Sequence, residues 1–404
     1  LYLLSRADAP RGKLLRLPNP SASLAQATVV VSPGDKVIDE FLPTASRLYV
    51  TDQLGGPSDL RVFDALGHPL APVPILPVSS VDGLEKLTGD DIVYTNTGYL
   101  NAPAWYHYHA ADGSSTRTAL YNTNPVDFSD CTVTRVFATS KDGTQIPLTL
   151  IQRKDLKPSP TTPVLLYGYG GYGINLGPSF SPIRRLWLDQ GGIWAVANLR
   201  GGGEYGEAWH HAGYLTNKQN VFDDFTACMQ YLVQQGYTSR DHLAIMGGSN
   251  GGLLMGAVYT QHPDLFRVCV SYVGIYDMLR VELSPNGLFN VTEFGSVKDP
   301  DQFKALYAYS PYHHVVDGTA YPPILFLTGA NDPRVEPWHS RKMVARLQAA
   351  DPSGTILLRT SANSGHGIGS SLSERVEEEV DVYSFLFYEL GIKFQPASSP
   401  SANQ

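Results

Sequence analysis

Hydrophobic positions follow two different patterns along the chain. Over the first ~125 residues they fall in short strand-like runs that come in pairs: 1–5 with 13–17, 47–51 with 59–63, and 91–95 with 105–109. The middles of the leading runs, Leu3, Tyr49 and Val93, are 46 and 44 residues apart, and Leu66-Gly67 and Asp112-Gly113 supply turn residues after the later pairs. Strand pairs repeating every ~45 residues have the spacing of β-propeller blades. An ordinary β-sandwich is the alternative. Trp105-Tyr106-His107-Tyr108-His109 reads as a strand exposed on one face. Three repeats cannot close a ring of four to eight blades, so a propeller here is partial.

From about Cys131 the period changes. Apolar runs at 164–167, 193–198, 243–246, 268–273, 324–328 and 355–359 alternate with helical patterns. Residues 220–235 carry Val221, Phe222, Phe225, Met229, Leu232 and Val233 at helical spacing, with Asn220 as the expected N-cap and Gly236 as the stop. Residues 338–349 form the expected helix between the last two runs. A further helix at 372–390 sets Val376, Val380, Tyr383 and Phe387 on one side, before Gly391. This alternation predicts an α/β domain with a mostly parallel, doubly wound sheet. The expected division is 1–128 partial propeller, 129–395 α/β domain and 396–404 a disordered Pro/Ser-rich tail.

Composition narrows the function. The 404 residues are 43% hydrophobic and 17% charged, with net charge −8. That suits a packed core and gives no concentrated basic face for nucleic acid. No apolar run approaches the ~20 residues of a membrane span. Cys131, Cys228 and Cys269 are too few and scattered for a disulfide framework and read as core residues. The chain begins at Leu1 within a strand-like run, the expected mark of a processed chain or a piece of a longer one. The expectation is a soluble protein, cytoplasmic first, with periplasmic or secreted placement as the alternatives.

Gly247-Gly248-Ser249-Asn250-Gly251 is G-x-S-x-G between a strand and a small-residue helical stretch at 252–261. That strand–turn–helix context makes Ser249 a nucleophile candidate. The turn strains the backbone, and side chains at the flanking glycines would meet the neighbouring elements. A serine nucleophile needs a base, and the base an orienting carboxylate, in the chain order Ser, Asp/Glu, His. Asp332 follows one strand, 83 residues on, and His366 follows the next, between two glycines. Asp277 is the rival to Asp332. His313 and His314 read as structural or exposed, His210 and His211 precede the serine, and Asp223 and Asp224 read as first-turn carboxylates of a helix. The loop Tyr167-Gly168-Tyr169-Gly170-Gly171-Tyr172-Gly173 could bring a donor to an oxyanion opposite the Asn250 N–H. No His/Asp/Glu/Cys group has metal-ligand spacing, and no cofactor is called for.

These stretches, with Asn198-Leu199-Arg200-Gly201-Gly202-Gly203-Glu204-Tyr205-Gly206, Asn217-Lys218-Gln219-Asn220 and Asp332-Pro333-Arg334-Val335, resemble the prolyl oligopeptidase family of serine peptidases over nearly all of 131–392. The resemblance implies an α/β-hydrolase domain capped by a propeller. It implies Ser249, Asp332 and His366 as the triad, and the Tyr169 hydroxyl and Asn250 N–H as oxyanion donors. Arg334 would clamp a substrate carbonyl, and Tyr172, Ile275, Phe294 and Val335 would line the pocket for the residue before the cut. Where the family stacks a tryptophan on proline, this chain has Asn290, with Phe289 beside it. The implied activity is hydrolysis of short peptides through an acyl-enzyme, with relaxed proline preference and no obligatory protein partner. Esterase or exopeptidase action by the same triad, or an inactive folded fragment, are the alternatives.

Overall fold

The computed structural model describes residues 1–367 and 369–396. The rest of the expected tail, 397–404, lies outside the described residues. The chain divides into two compact units. The first comprises Leu1–Val133, Gly173–Pro182 and Gly202–His210; the second comprises Thr134–Tyr172, Ile183–Gly201 and His211–Gln404. The first unit therefore takes two segments embedded in the later sequence.

The first unit holds three antiparallel sheets. One is β1 (Tyr2–Ser5), β2 (Lys13–Arg16) and β3 (Thr28–Val31). The second is β4 (Val37–Pro43), β5 (Arg47–Gln53), β6 (Ser58–Asp64) and β7 (Pro69–Leu70). The third is β8 (Ser79–Lys86), β9 (Ile92–Gly98), β10 (Ala104–His109) and β11 (Ser114–Tyr121). In each, strands neighbour in chain order, the up-and-down pattern of a propeller blade. The ~45-residue period has a physical basis: Tyr49 and Val93 lie in the second strand of their sheets. Tyr49, Leu60, Val62, Val81, Ile92, Tyr94 and Tyr108 form one buried cluster shared by the two four-stranded sheets.

The second unit is built on an eight-stranded sheet. Its strands are β12 (Cys131–Thr139), β13 (Gln145–Arg153), β14 (Val164–Gly168), β15 (Ile193–Ala197), β16 (Leu243–Gly248), β17 (Val268–Tyr272), β18 (Ile324–Gly329) and β19 (Ile356–Ser361). The order is β12-β13-β15-β14-β16-β17-β18-β19. β13 runs antiparallel to β15, and the pairs from β15 to β19 are all parallel. Those six strands are the six apolar runs of the sequence. β12 and β13 were not among the predicted strands; the exposed positions of β12 interrupt any apolar run.

The α-helices are α1 (Arg184–Asp189), α2 (Glu207–His211), α3 (Gln219–Gln234), α4 (Asn250–Gln261), α5 (Gly287–Phe294), α6 (Pro300–Tyr309), α7 (Trp338–Ala350) and α8 (Leu372–Glu389). Three expectations are corrected here. α3 is capped at Lys218, not Asn220, whose side chain instead donates to the Ala212 carbonyl. Asp223 and Asp224 therefore lie beyond the first turn. Asp224 is fully buried and accepts from Arg200 Nη2 at 2.6 Å and Ser140 Oγ at 2.6 Å, so it is an ion-pair partner rather than a dipole cap. On α8, Tyr383 and Phe387 are buried but Val376 and Val380 are exposed, because the helix reaches the core only over its C-terminal half. The capping box of α8 joins Ser371 to Glu374. Among the described residues no helix is long and apolar enough to cross a membrane.

Candidate active site

Ser249 sits between β16 and α4 at φ 59°, ψ −117°. A non-glycine residue held there is strained, and such strain persists only where the surroundings impose it. Here they do. The Ser249 N–H donates to the Tyr272 carbonyl at 2.9 Å, and its own carbonyl accepts from Gly252 and Leu253 at 2.9 and 3.1 Å. A Cβ at Gly247 would come within 2.4 Å of the Gly251 carbonyl oxygen, and one at Gly251 within 2.7 Å of the Gly168 oxygen. Both glycines of the motif are thus dictated by close backbone approach.

The loop after β14 lies against this elbow. Burial raises the pKa of the Tyr169 hydroxyl to about 12, and Ser249 is near enough to oppose that rise in part. The phenol is therefore a neutral donor at any ordinary pH. The Asn250 side-chain amide donates to the Tyr169 carbonyl, fixing the loop's height. The Asn250 N–H, at the start of α4, is outside the intrahelical ladder and available to an anion.

The loops after β18 and β19 carry the second pair. Asp332 Oδ2 is 2.6 Å from His366 Nδ1. Asp332 Oδ1 accepts from the N–H groups of Arg334 and Val335 at 2.9 and 3.0 Å, so both oxygens of a fully buried carboxylate are oriented. The two loops are tied by main-chain bonds, Ala330 N–H to Ser361 and Asn331 N–H to Ser364. Ser249, Asp332 and His366 all leave the carboxyl ends of parallel strands, where open α/β sheets hold their ligands. Asp277, the rival carboxylate, is instead paired with Arg280 at 2.9 Å and with Lys342.

Tyr172, at φ 56°, organises the candidate pocket. Its hydroxyl donates to Asn290 Oδ1 at 2.9 Å. Its ring stacks on Phe289 at 5.3 Å and meets Phe294 edge-on at 5.6 Å. Asn290, Phe294, Ile275 and Val335 are buried, whereas Phe289 and Arg334 are exposed. The positive Arg334 acts on the Tyr169 hydroxyl electrostatically, opposing the upward shift.

Lys218 was quoted within a motif but given no role by sequence reasoning. Its side chain is fully buried; Nζ lies 3.0 Å from the Gly170 carbonyl and 2.9 Å from Glu293 Oε1. It thereby ties the tyrosine-bearing loop to α5. Nothing in a polar stretch ahead of a helix marks a lysine as buried, so only packing reveals it.

Chemically, these parts are a hydroxyl on a strained turn, a neutral phenol on the neighbouring loop, and an imidazole oriented by a buried carboxylate. That is the equipment of nucleophilic acyl transfer.

Comparison with known proteins gives the same direction. Residues 178–393 match the model of the prolyl oligopeptidase family. The chain is 37% identical over 401 residues to a prolyl endopeptidase of Elizabethkingia meningoseptica, covering 97% of this chain and 56% of that one. It is 35% identical over 412 residues to a prolyl endopeptidase of Dictyostelium discoideum, covering 97% of this chain and 54% of that one. A solved prolyl endopeptidase superposes with a TM-score of 0.91 at 40% identity, over 97% of this chain and 58% of that one. Prolyl oligopeptidase B from Galerina marginata superposes at 0.90 and 27% identity, over 98% and 56%. The chain spans about half the length of the curated relatives it matches. An α/β-hydrolase sheet with propeller blades before it, and a family match covering more than half the residues, agree: this chain belongs to the prolyl oligopeptidase family.

Proposed function

We propose that the chain carries the acyl-transfer centre of a serine oligopeptidase acting on short peptides. His366 takes the Ser249 proton through Nε2 as the hydroxyl attacks the scissile carbonyl, and returns it to the leaving amine. Asp332 holds the Nδ1–H tautomer and stabilises the imidazolium. Tyr169 and the Asn250 N–H receive the oxyanion, and water releases the acyl group in a second round. Arg334 holds a substrate carbonyl, and Tyr172, Ile275, Asn290, Phe294 and Val335 receive the side chain before the cut. No metal or organic cofactor takes part in these steps. The observations carrying this reading are the strained Ser249 elbow and the His366 imidazole held by the buried Asp332 carboxylate. A relative, prolyl oligopeptidase B from Galerina marginata, is described with a 35-residue peptide substrate bound, which supports peptides as the substrate class.

A fluorophosphonate probe tests the centre. Labelling at Ser249 that disappears in Ser249→Ala is expected. A folded wild-type chain that does not label, or a variant that labels equally, overturns it.

The Asn290–Tyr172 bond favours a second reading of specificity, in which the same centre accepts residues other than proline, or esters and exopeptidase substrates. Rates on Z-Gly-Pro amides, Ala-Ala amides and p-nitrophenyl esters separate the readings.

A further inference from the structure

Within the first unit, β9 and β10 pair antiparallel with His107 opposite Val93 and Tyr108 opposite Ile92. One step further along that register sets Asp91 across from His109. Side chains on a strand alternate, so His107, His109 and Asp91 share one face. Their donor atoms all lie within 4.8 Å of one another. His107 Nε2 is 2.9 Å and His109 Nδ1 3.8 Å from Asp91 Oδ2, and the two imidazole rings are tilted with centroids 3.9 Å apart.

We propose that Asp91, His107 and His109 form a binding site for a divalent transition-metal ion of the zinc, nickel or copper type. Two imidazoles and a carboxylate are the donor set such ions prefer. A tetrahedral ion with bonds of about 2.0–2.1 Å needs its ligands about 3.3 Å apart, a short closing-in from the observed positions.

The surroundings orient each donor. Asp91 Oδ1 accepts the Ala110 N–H at 2.9 Å, leaving Oδ2 for the ion. His109 Nε2 lies 3.2 Å from Thr116 Oγ1, a partner for the ring N–H once Nδ1 is on the metal. All three side chains are about one-third exposed, at 31%, 29% and 36%. An ion can enter from solvent and keep a water ligand in the fourth position.

The site's place in the sheet suggests its effect. The adjacent Asp90 accepts from Thr44 and Ser46 at 2.7 and 2.6 Å, and Arg47 donates to the Ala110 carbonyl at 2.8 Å. The residues flanking the metal donors thus join this sheet to the β4–β5 turn of its neighbour. A bound ion would staple β9 to β10 beside that seam. Linear spacing does not reveal this group, because Asp91 lies 16 residues before His107 and is brought in by strand pairing.

Calorimetric titration of the chelator-treated 404-residue chain with Zn²⁺ tests the proposal. One saturable site is expected, with affinity falling at least tenfold in His107→Gln/His109→Gln and in Asp91→Asn. Zinc should raise the thermal midpoint of the wild type and leave that of the double variant unmoved. On the wild type alone, electron paramagnetic resonance of one equivalent of Cu²⁺ should show two nitrogen donors. Failure of the wild type to saturate, equal binding by a variant that unfolds cooperatively, or fewer than two nitrogen donors would each overturn the assignment.

Discussion

The hydroxyl of Tyr172 donates to the side-chain oxygen of Asn290 at 2.9 Å, joining the loop after β14 to helix α5 across the candidate pocket. A buried amide thus faces the Tyr172 hydroxyl, in the position that the family resemblance assigns to a ring stacked on proline. Phe289 stacks on Tyr172 from the exposed side instead.

Restoring an aromatic surface should sharpen selection for proline. Stacking contributes roughly 0.5–1.5 kcal/mol beyond burial, so Asn290→Trp should raise the Pro-over-Ala ratio of kcat/KM by up to about tenfold. Matched Z-Gly-Pro and Z-Gly-Ala amides measure it. An unchanged ratio would remove Asn290 from the pocket.

Tyr169→Phe deletes one proposed oxyanion donor and should lower kcat by roughly 10²–10³ with little change in KM. With its pKa raised by burial to about 12, Tyr169 stays protonated through the assay range. The defect should therefore be the same at about pH 6 and pH 9. Because this phenol's pKa is higher folded than unfolded, its stabilising contribution is complete below about pH 10 and declines as pH rises toward 12.

Breaking the buried pair under the oxyanion loop should be costly. Lys218→Met removes the buried ammonium that faces Glu293, at a cost of about 3–5 kcal/mol in denaturant unfolding. Lys218→Met/Glu293→Leu should recover most of that stability. It should not recover kcat, since the Gly170 carbonyl still lacks its anchor. Full recovery of both would make the pair purely structural.

His339 should make the protein acid-sensitive. Its Nδ1 accepts two backbone N–H groups, from Tyr276 and Asp277, and burial lowers its pKa from 6.5 to about 3 despite the neighbouring Asp277 carboxylate. The unfolded chain therefore binds a proton that the folded chain refuses. Stability from this group is complete above about pH 6.5 and falls by up to ~1.4 kcal/mol per pH unit as pH drops toward 3. Urea midpoints between pH 6.5 and 4.5 should fall less steeply in His339→Gln.

Much of this was legible in the chain. The parallel strands of the second unit are short apolar runs because both faces are covered, and the glycines around Ser249 mark backbone contact directly. The chain order of Ser249, Asp332 and His366 follows from loops that leave strand ends. What stayed hidden depends on distant partners. Asp224 read as a first-turn carboxylate until Arg200 met it, Lys218 had no assigned role, and Asp91 reaches two histidines only through strand pairing. Val376 and Val380 had the right helical phase but lie where α8 has left the core.

The backbone conformation at Ser249 also restricts which side chain this turn could host in the nucleophilic role proposed for it. A branched Cβ is strongly disfavoured at positive φ, whereas cysteine has the same shape as serine at that atom. Descendants of this chain could change to thiol chemistry by a single substitution without rebuilding the turn. A threonine nucleophile would require a different turn altogether.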